Sequence, residues 1–159
     1  MTIPEILETN ISKYSGSNIN LTLAGRTDAG VHAKQMFAHF DIEHDFDKTN
    51  FCRSLNMMIP KDIFVVCLSE VAGDLHARFD AISRTYEYFI SDKGYNFSVK
   101  ANRFLRNMVR SIVGTMIQIG TKKISDKDFQ IILDSQDRRN AGYSVPASGL
   151  FLTNIDYKE

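Results

Sequence analysis

The sequence predicts an α+β layer fold in which antiparallel strands carry helices packed on one face. Three observations lead there. Stretches of helical and of strand periodicity alternate along the chain, yet several strand-like stretches follow one another directly, which favours antiparallel pairing. The 159 residues are 43% hydrophobic and include 11 phenylalanines, enough to build the core of one ordinary domain or of two small ones sharing it.

The elements follow in order. Thr2 and Glu5 have capping-box spacing, Pro4 suits a first turn, and Ile6, Leu7, Ile11 and Tyr14 form an apolar stripe, so a helix is expected to about Ser15. "NINLTLAG" reads as a strand. Met36, Ala38, Phe40 and Ile42 alternate with Phe37, His39, Asp41 and Glu43, the pattern of a strand with one buried face. Asp47 to Met58 reads as a helix stopping before Pro60, with Phe51, Leu55 and Met58 on one side. "DIFVVCLSEV" reads as a strand buried on both faces. "HARFDAISRTYEYFI" holds a long strand with Tyr86, Tyr88 and Ile90 on one face, and "YNFSVKA" a short one. "RFLRNMVRSIVGTMIQIG" reads as a strong helix, "SDKDFQIILDSQ" as a second with Ser125 as its cap, and "GLFLTNIDY" as a closing strand.

Charge and cysteine content narrow the function classes. Nineteen basic residues balance nineteen acidic ones, so any site for a polyanion must be local. Cys52 and Cys67 sit in apolar surroundings without the spacing of a zinc knuckle or redox pair, and are expected to be buried free thiols of a reducing compartment. No leader-like segment opens "MTIPEILETN" and no apolar run reaches membrane-spanning length, so a cytoplasmic chain without a membrane partner is expected.

Chemistry concentrates in "LAGRTDAGVHAKQMFAHF". Gly25 and Gly30 bracket Arg26, Thr27 and Asp28 between two apolar segments. Such a run commonly makes a tight turn, because Asp bonds its own backbone and Gly accepts positive φ. A carboxylate beside an arginine at the end of a buried strand is also a place where ionisation is perturbed for catalysis. Arg103, Arg106 and Arg110 fall at helical offsets of three and four. They read equally as a solvated stripe on a core helix and as guanidiniums facing phosphates or a buried carboxylate. Tyr86 and Tyr88 read as core, or as a stacking platform if their face opens beside Asp28. His39, Asp41, Glu43 and His44 look like a ligand cluster, but alternation puts the first three in a solvent row and turns His44 away. No metal site is expected. His32 and His76 have no spaced partners.

"GRTDAGVHA" strongly resembles the signature of TruA-type tRNA pseudouridine synthases, which act on uridines 38 to 40 of the anticodon arm. "HARFDAISRTYEY", "FLRNMVRSIVG" and "PASGLFLTNIDY" resemble further segments of that family in the same order. The resemblance implies two ferredoxin-like or RRM-like halves, taken here as 1–73 with the aspartate loop and 74–159 with the tyrosine and arginine. Their antiparallel sheets would join into one, with helices on one face and the active-site cleft between the halves. It implies Asp28 as the catalytic aspartate, Tyr86 as the aromatic against the target base and Arg110 as the arginine paired with the aspartate. Arg26, Arg78 and Leu150 join Tyr86 as substrate-binding residues. It further implies an isomerase that needs no cofactor, with tRNA as substrate and a homodimer spanned by one tRNA.

The sequence departs from the family at two places. It lacks the opening strand with its Gly-Trp segment, and "YEYFISDK" nearly abuts "GYNFSVKANRF" where the family carries a long stretch. Omitted chain near 91–95 is expected rather than a true deletion, since excised central strands would expose surface that a stable domain needs. A hairpin through "SDKG" is chemically reasonable all the same. The alternative function is a catalytically idle α+β RNA-binding module.

Overall fold

The computed structural model describes residues 1–43, 47–90 and 94–158. It combines helices with two separate sheets. Its contacts divide into two interleaved units, Met1–Ala24 with Phe37–Asp80, and Gly25–Met36 with Ala81–Glu159. The expected halves divided the chain once, after residue 73; in the structure the Asp28 loop belongs with the C-terminal elements.

In the first unit, α1 (Ile3–Ser15) starts in a capping box. Thr2 N–H donates to Glu5 Oε2 at 2.6 Å while the Thr2 hydroxyl accepts from Glu5 N–H, and Gly16 at φ 71° ends the helix. α2 (Lys48–Met58) is capped by Asp47, whose carboxylate accepts from Thr49 and Asn50 N–H. The two helices share a core of Ile11, Ile19, Phe51, Leu55 and Ile59, with Tyr14 edge-on to Phe51 at 5.1 Å. β1 (Thr22–Leu23) and β3 (Ala38–His39) form a two-residue antiparallel ladder, far shorter than the alternation predicted.

The expected doubly buried strand over "DIFVVCLSEV" is absent among the described residues. Ile63, Val65 and Leu68 pack on the helices, but Phe64, Val66 and Cys67 are exposed. Only one face found a cover, and a helix side chain replaces the neighbouring strand: Asn56 Nδ2 donates to Val65 O and Asn56 Oδ1 accepts from Val65 N–H, both at 2.8 Å. His39 also departs from its expected place in the solvent row. It is half-buried, its Nδ1 accepts from Ala77 N–H at 3.1 Å, and its ring lies edge-on to His76. His44 lies outside the described residues.

The second unit is built on a four-stranded sheet in the order β2 (His32–Ala33), β6 (Leu150–Tyr157), β4 (Ala81–Ile90), β5 (Tyr95–Ala101). β4 pairs antiparallel with β5 from Arg84↔Ala101 to Ile90↔Tyr95; the connecting Ser91–Lys93, on which the expectation of omitted chain falls, lies outside the described residues. β4 also pairs antiparallel with β6, with bulges between Ala81 and Ser83 and between Thr85 and Tyr86. β2 runs parallel to β6, so the sheet is mixed where antiparallel pairing was expected. That pairing brings the Asp28 loop to the last strand of the chain.

α3 (Met108–Gly120) covers the sheet face that carries Tyr86, Tyr88 and Ile90, enclosing Tyr88, Val109, Val113, Val145 and Leu150. It begins five residues later than the sequence predicted. α4 (Asp126–Ser135) packs on α3 and starts at the expected Ser125 cap, in a box with Asp128. The chain then returns across α3 as a strap, Ala141–Pro146, that periodicity did not reveal. Gly142 N–H donates to Thr115 Oγ1 at 2.9 Å, Ser111 Oγ donates to Gly142 O, and Val145 N–H donates to Arg110 O at 3.2 Å. Gly114 makes this approach possible, since a Cβ there would lie 1.8 Å from Tyr143 O. Among the described residues no helix is long and apolar enough to cross a membrane.

Two outcomes follow from this packing. Gly114→Ala must push the strap away, and is expected to cost about 1–3 kcal/mol in urea unfolding, as overpacking of a close interface does. Asp156 joins β6 to its neighbours. It accepts from Lys100 Nζ at 2.8 Å, from the Ser83 hydroxyl and from Asn154 Nδ2 at 2.7 Å, and these partners, Lys100 foremost, lower its pKa from 3.8 to about 2. A carboxyl depressed by folding stabilises above its unfolded pKa, and that contribution is lost as pH falls through the folded one. Between pH 4 and pH 2 the urea midpoint of the wild type should therefore fall more than that of Asp156→Asn.

Candidate active site

The loop between Gly25 and β2 belongs to the second unit. It closes through Val31 N–H donating to Asp28 O at 3.1 Å, with Gly30 at φ 80°, a conformation that glycine takes without steric cost. A Cβ on Gly30 would lie 3.3 Å from the Ala147 Cβ, so the loop abuts the short turn Ala147–Gly149. β2 ties down the far end, and Lys34 N–H donates to Leu152 O at 2.8 Å.

This places the Asp28 carboxylate between two arginines. Arg110 Nη1 lies 3.5 Å from Oδ2 and Arg106 Nε 3.9 Å from Oδ1. The contacts differ in kind. The side chains of Asp28 and Arg110 are 23% and 21% exposed, so their attraction is only partly screened, whereas Arg106 at 95% exposed is strongly screened. Arg110 is also aimed: its Nε–H donates to Val145 O at 2.7 Å, leaving Nη1 turned toward the carboxylate.

Tyr86, just past the bulge in β4, is half-buried with its ring edge-on to Phe104 at 5.3 Å. Burial pushes its hydroxyl pKa up; the Arg84 charge opposes that and the Asp28 charge adds to it, so the phenol lies within the field of the carboxylate. Tyr88, two residues on, is core. Burial raises its pKa too, against the charge of Arg110, and its ring end would lie 2.7 Å from a Cβ on Gly149. A half-buried carboxylate held by a guanidinium beside an aromatic hydroxyl suits nucleophilic or proton-transfer chemistry on a flat, polar ring.

Of the residues predicted from sequence, the structure brings Asp28 and Arg110 into contact, and Tyr86 stands near enough for the Asp28 charge to help raise its pKa. Arg26 is exposed on the same loop and has no ion pair among the described residues. Leu150 is buried as the first residue of β6, packed with Tyr88 and Val113. Arg78 is exposed in the other unit, where its N–H donates to His76 Nδ1 at 3.1 Å. Arg103 and Arg106 precede α3 rather than lying on it, so the expected row of three arginines on one helix face does not form. The chain turns at Asn107, whose φ of 61° is left-handed. Sequence reasoning missed Asn107, which donates to the Ser144 hydroxyl and whose Oδ1 is buried without a hydrogen-bond partner among the described residues. It also missed Phe104 behind Tyr86 and the Val145 carbonyl behind Arg110. An asparagine just ahead of an apolar helical run was the available signal for the turn.

Comparison with known proteins bears on the same residues. Residues 81–158 match a family profile described as tRNA pseudouridine synthase. The chain is 31% identical to tRNA pseudouridine synthase A of Bacteroides thetaiotaomicron, over 99% of this chain and 82% of that protein. With the protein of the same name from Porphyromonas gingivalis the identity is 33%, over 98% and 88%, and with that from Azobacteroides pseudotrichonymphae 34%, over 99% and 88%. The first of these alignments runs over 222 positions against the 159 residues of this chain, so the relative carries stretches with no counterpart here. On identity and coverage of this extent, the chain belongs to the tRNA pseudouridine synthases, isomerases that act on tRNA.

Proposed function

We propose that this chain isomerises uridine to pseudouridine at positions 38, 39 and 40 of the tRNA anticodon stem-loop, with Asp28 as the catalytic carboxylate acting on an extruded base. The observation that carries the reading is the half-buried Asp28 carboxylate 3.5 Å from Arg110. The reaction breaks the bond from N1 to C1′, turns the uracil and rejoins it through C5, with no redox change and no donated group. It asks for a carboxylate that attacks C1′ or C6 or removes a sugar proton, and each route requires that carboxylate ionised in a site shielded from water. Arg110 gives that carboxylate a cationic partner at 3.5 Å.

Extruding the base costs about a few kcal/mol, and stacking on Tyr86 returns roughly 1 to 3 kcal/mol. Arg26, exposed on the same loop, is assigned to the flipped nucleotide or its backbone, Arg78 to the RNA and Leu150 to the wall behind the base. Both units are read as the ferredoxin-like halves of the family fold. A homodimer spanned by one tRNA and a cytoplasmic location complete the proposal. The alternative, an RNA-binding module without activity, is favoured by the stretches that the relatives carry and this chain lacks.

Release of tritium from tRNA labelled at uridine C5 separates the two, because isomerisation expels that hydrogen and binding does not. The wild type is expected to release it, and Asp28→Asn, which keeps the shape, to be slower by about a thousandfold or more. Equal release from the two proteins would remove Asp28 from the mechanism. For Tyr86, binding isotherms at fixed salt should show Tyr86→Phe within about threefold of wild type and Tyr86→Ala weaker by about tenfold or more, since the ring and not the hydroxyl does the stacking.

A further inference from the structure

Three consecutive residues ahead of α3 divide the site between them. Phe104 stands edge-on to Tyr86 at 5.3 Å, Arg106 Nε lies 3.9 Å from Asp28 Oδ1, and Leu105 between them is 79% exposed. A lone exposed leucine is ordinary on a protein surface. This one is set apart because both of its chain neighbours are engaged, one with the aromatic ring and the other with the carboxylate. Its side chain therefore projects at the mouth of the site.

The turn that presents it is firmly held. Met108 N–H donates to Leu105 O at 3.1 Å. Asn107 adopts φ 61°, a left-handed conformation that asparagine takes more readily than other residues with a side chain. The Asn107 side chain donates to the Ser144 hydroxyl on the strap, and Ser144 Oγ also accepts from Arg138 Nη2 at 3.2 Å. Leu105 is thus an exposed apolar side chain, flanked in sequence by residues that touch Tyr86 and Asp28, on a turn anchored to a neighbouring segment.

Resting on the reading that the substrate is a base extruded from tRNA, the geometry points to Leu105 as the wedge that enters the base stack where the target uridine leaves it. Extrusion opens a gap between neighbouring bases, and an apolar side chain inserted there takes over the lost stacking. The guanidinium of Arg106, exposed and adjoining, is placed to meet the phosphate beside that gap. Leu105 is a positioning residue in this role, since it touches the neighbours of the reacting base and takes no part in bond making.

The test uses an anticodon stem-loop RNA with 2-aminopurine next to the target uridine, in two versions: the uridine paired in the stem, or opposite a mismatched base. Binding of wild-type protein to the paired version should raise the fluorescence as the probe loses its stacked neighbour, and Leu105→Ala should abolish most of that rise. In single-turnover tritium release, Leu105→Ala should be slower by about tenfold on the paired uridine but within about twofold of wild type on the mismatched one, where extrusion is cheap, and Leu105→Met should restore the rate. An equal deficit on the two RNAs, no deficit on either, or a lowered thermal midpoint in Leu105→Ala, which would make the leucine structural, overturns the proposal. The fluorescence rise needs no chemistry. If the wild type shows the rise and its loss in Leu105→Ala but releases no tritium, the catalytic reading fails and the wedge stands.

Discussion

One hydrogen bond, from Arg110 Nε–H to Val145 O, holds the rest of this site in place. It fixes which edge of the guanidinium faces Asp28, and it is half of a reciprocal pair, because Val145 N–H donates back to Arg110 O. Through that pair the strap is registered on α3, and through the strap come Ser144, which holds Asn107, and the Ala147–Gly149 turn, against which Gly30 rests. The Asp28 carboxylate thereby meets a guanidinium oriented by a backbone carbonyl 35 residues farther along the chain.

The two arginines meet the Asp28 carboxylate in different surroundings. One partner, Arg110, shares its burial and so acts with little screening, while Arg106 reaches the same carboxylate from solvent. The first contact is the less screened of the two, and the second leaves most of the Arg106 side chain in water.

What was legible in the sequence was what short-range chemistry determines. Thr2 with Glu5, and Ser125, located two helix starts, because a cap lies within four residues of the N–H groups that it satisfies. Asp28, Arg110 and Tyr86 were picked out by the resemblance of their segments to the tRNA pseudouridine synthases, since their residue types alone read as well as a turn, a solvated stripe and core. The start of α3 was misplaced since Phe104 and Leu105 continue the helical period, although Phe104 packs on Tyr86 of another element and Leu105 is exposed. "DIFVVCLSEV" misled for the converse reason. A run apolar on both sides reads as a strand covered twice, yet here one face is covered and the hydrogen bonds of Val65 go to the side chain of Asn56. The strap left no periodic trace at all, being held by single contacts to Arg110, Ser111, Gly114 and Thr115.

The parallel pairing of β2 with β6 sets an order of events during synthesis. β6 leaves the ribosome after the other strands of its sheet, yet it lies inside that sheet, flanked by β2 and β4, while the loop carrying Asp28 is made more than a hundred residues earlier. Until Leu150–Tyr157 emerges, β2 has no neighbour in the sheet, and until Val145 just ahead of it emerges Arg110 has no carbonyl to aim it. Contacts of this span close late, because the loop entropy they cost is not repaid until both ends are present. A nascent chain halted before β6 would therefore carry the aspartate loop without the strand that anchors it, and the site would assemble only once that strand is made.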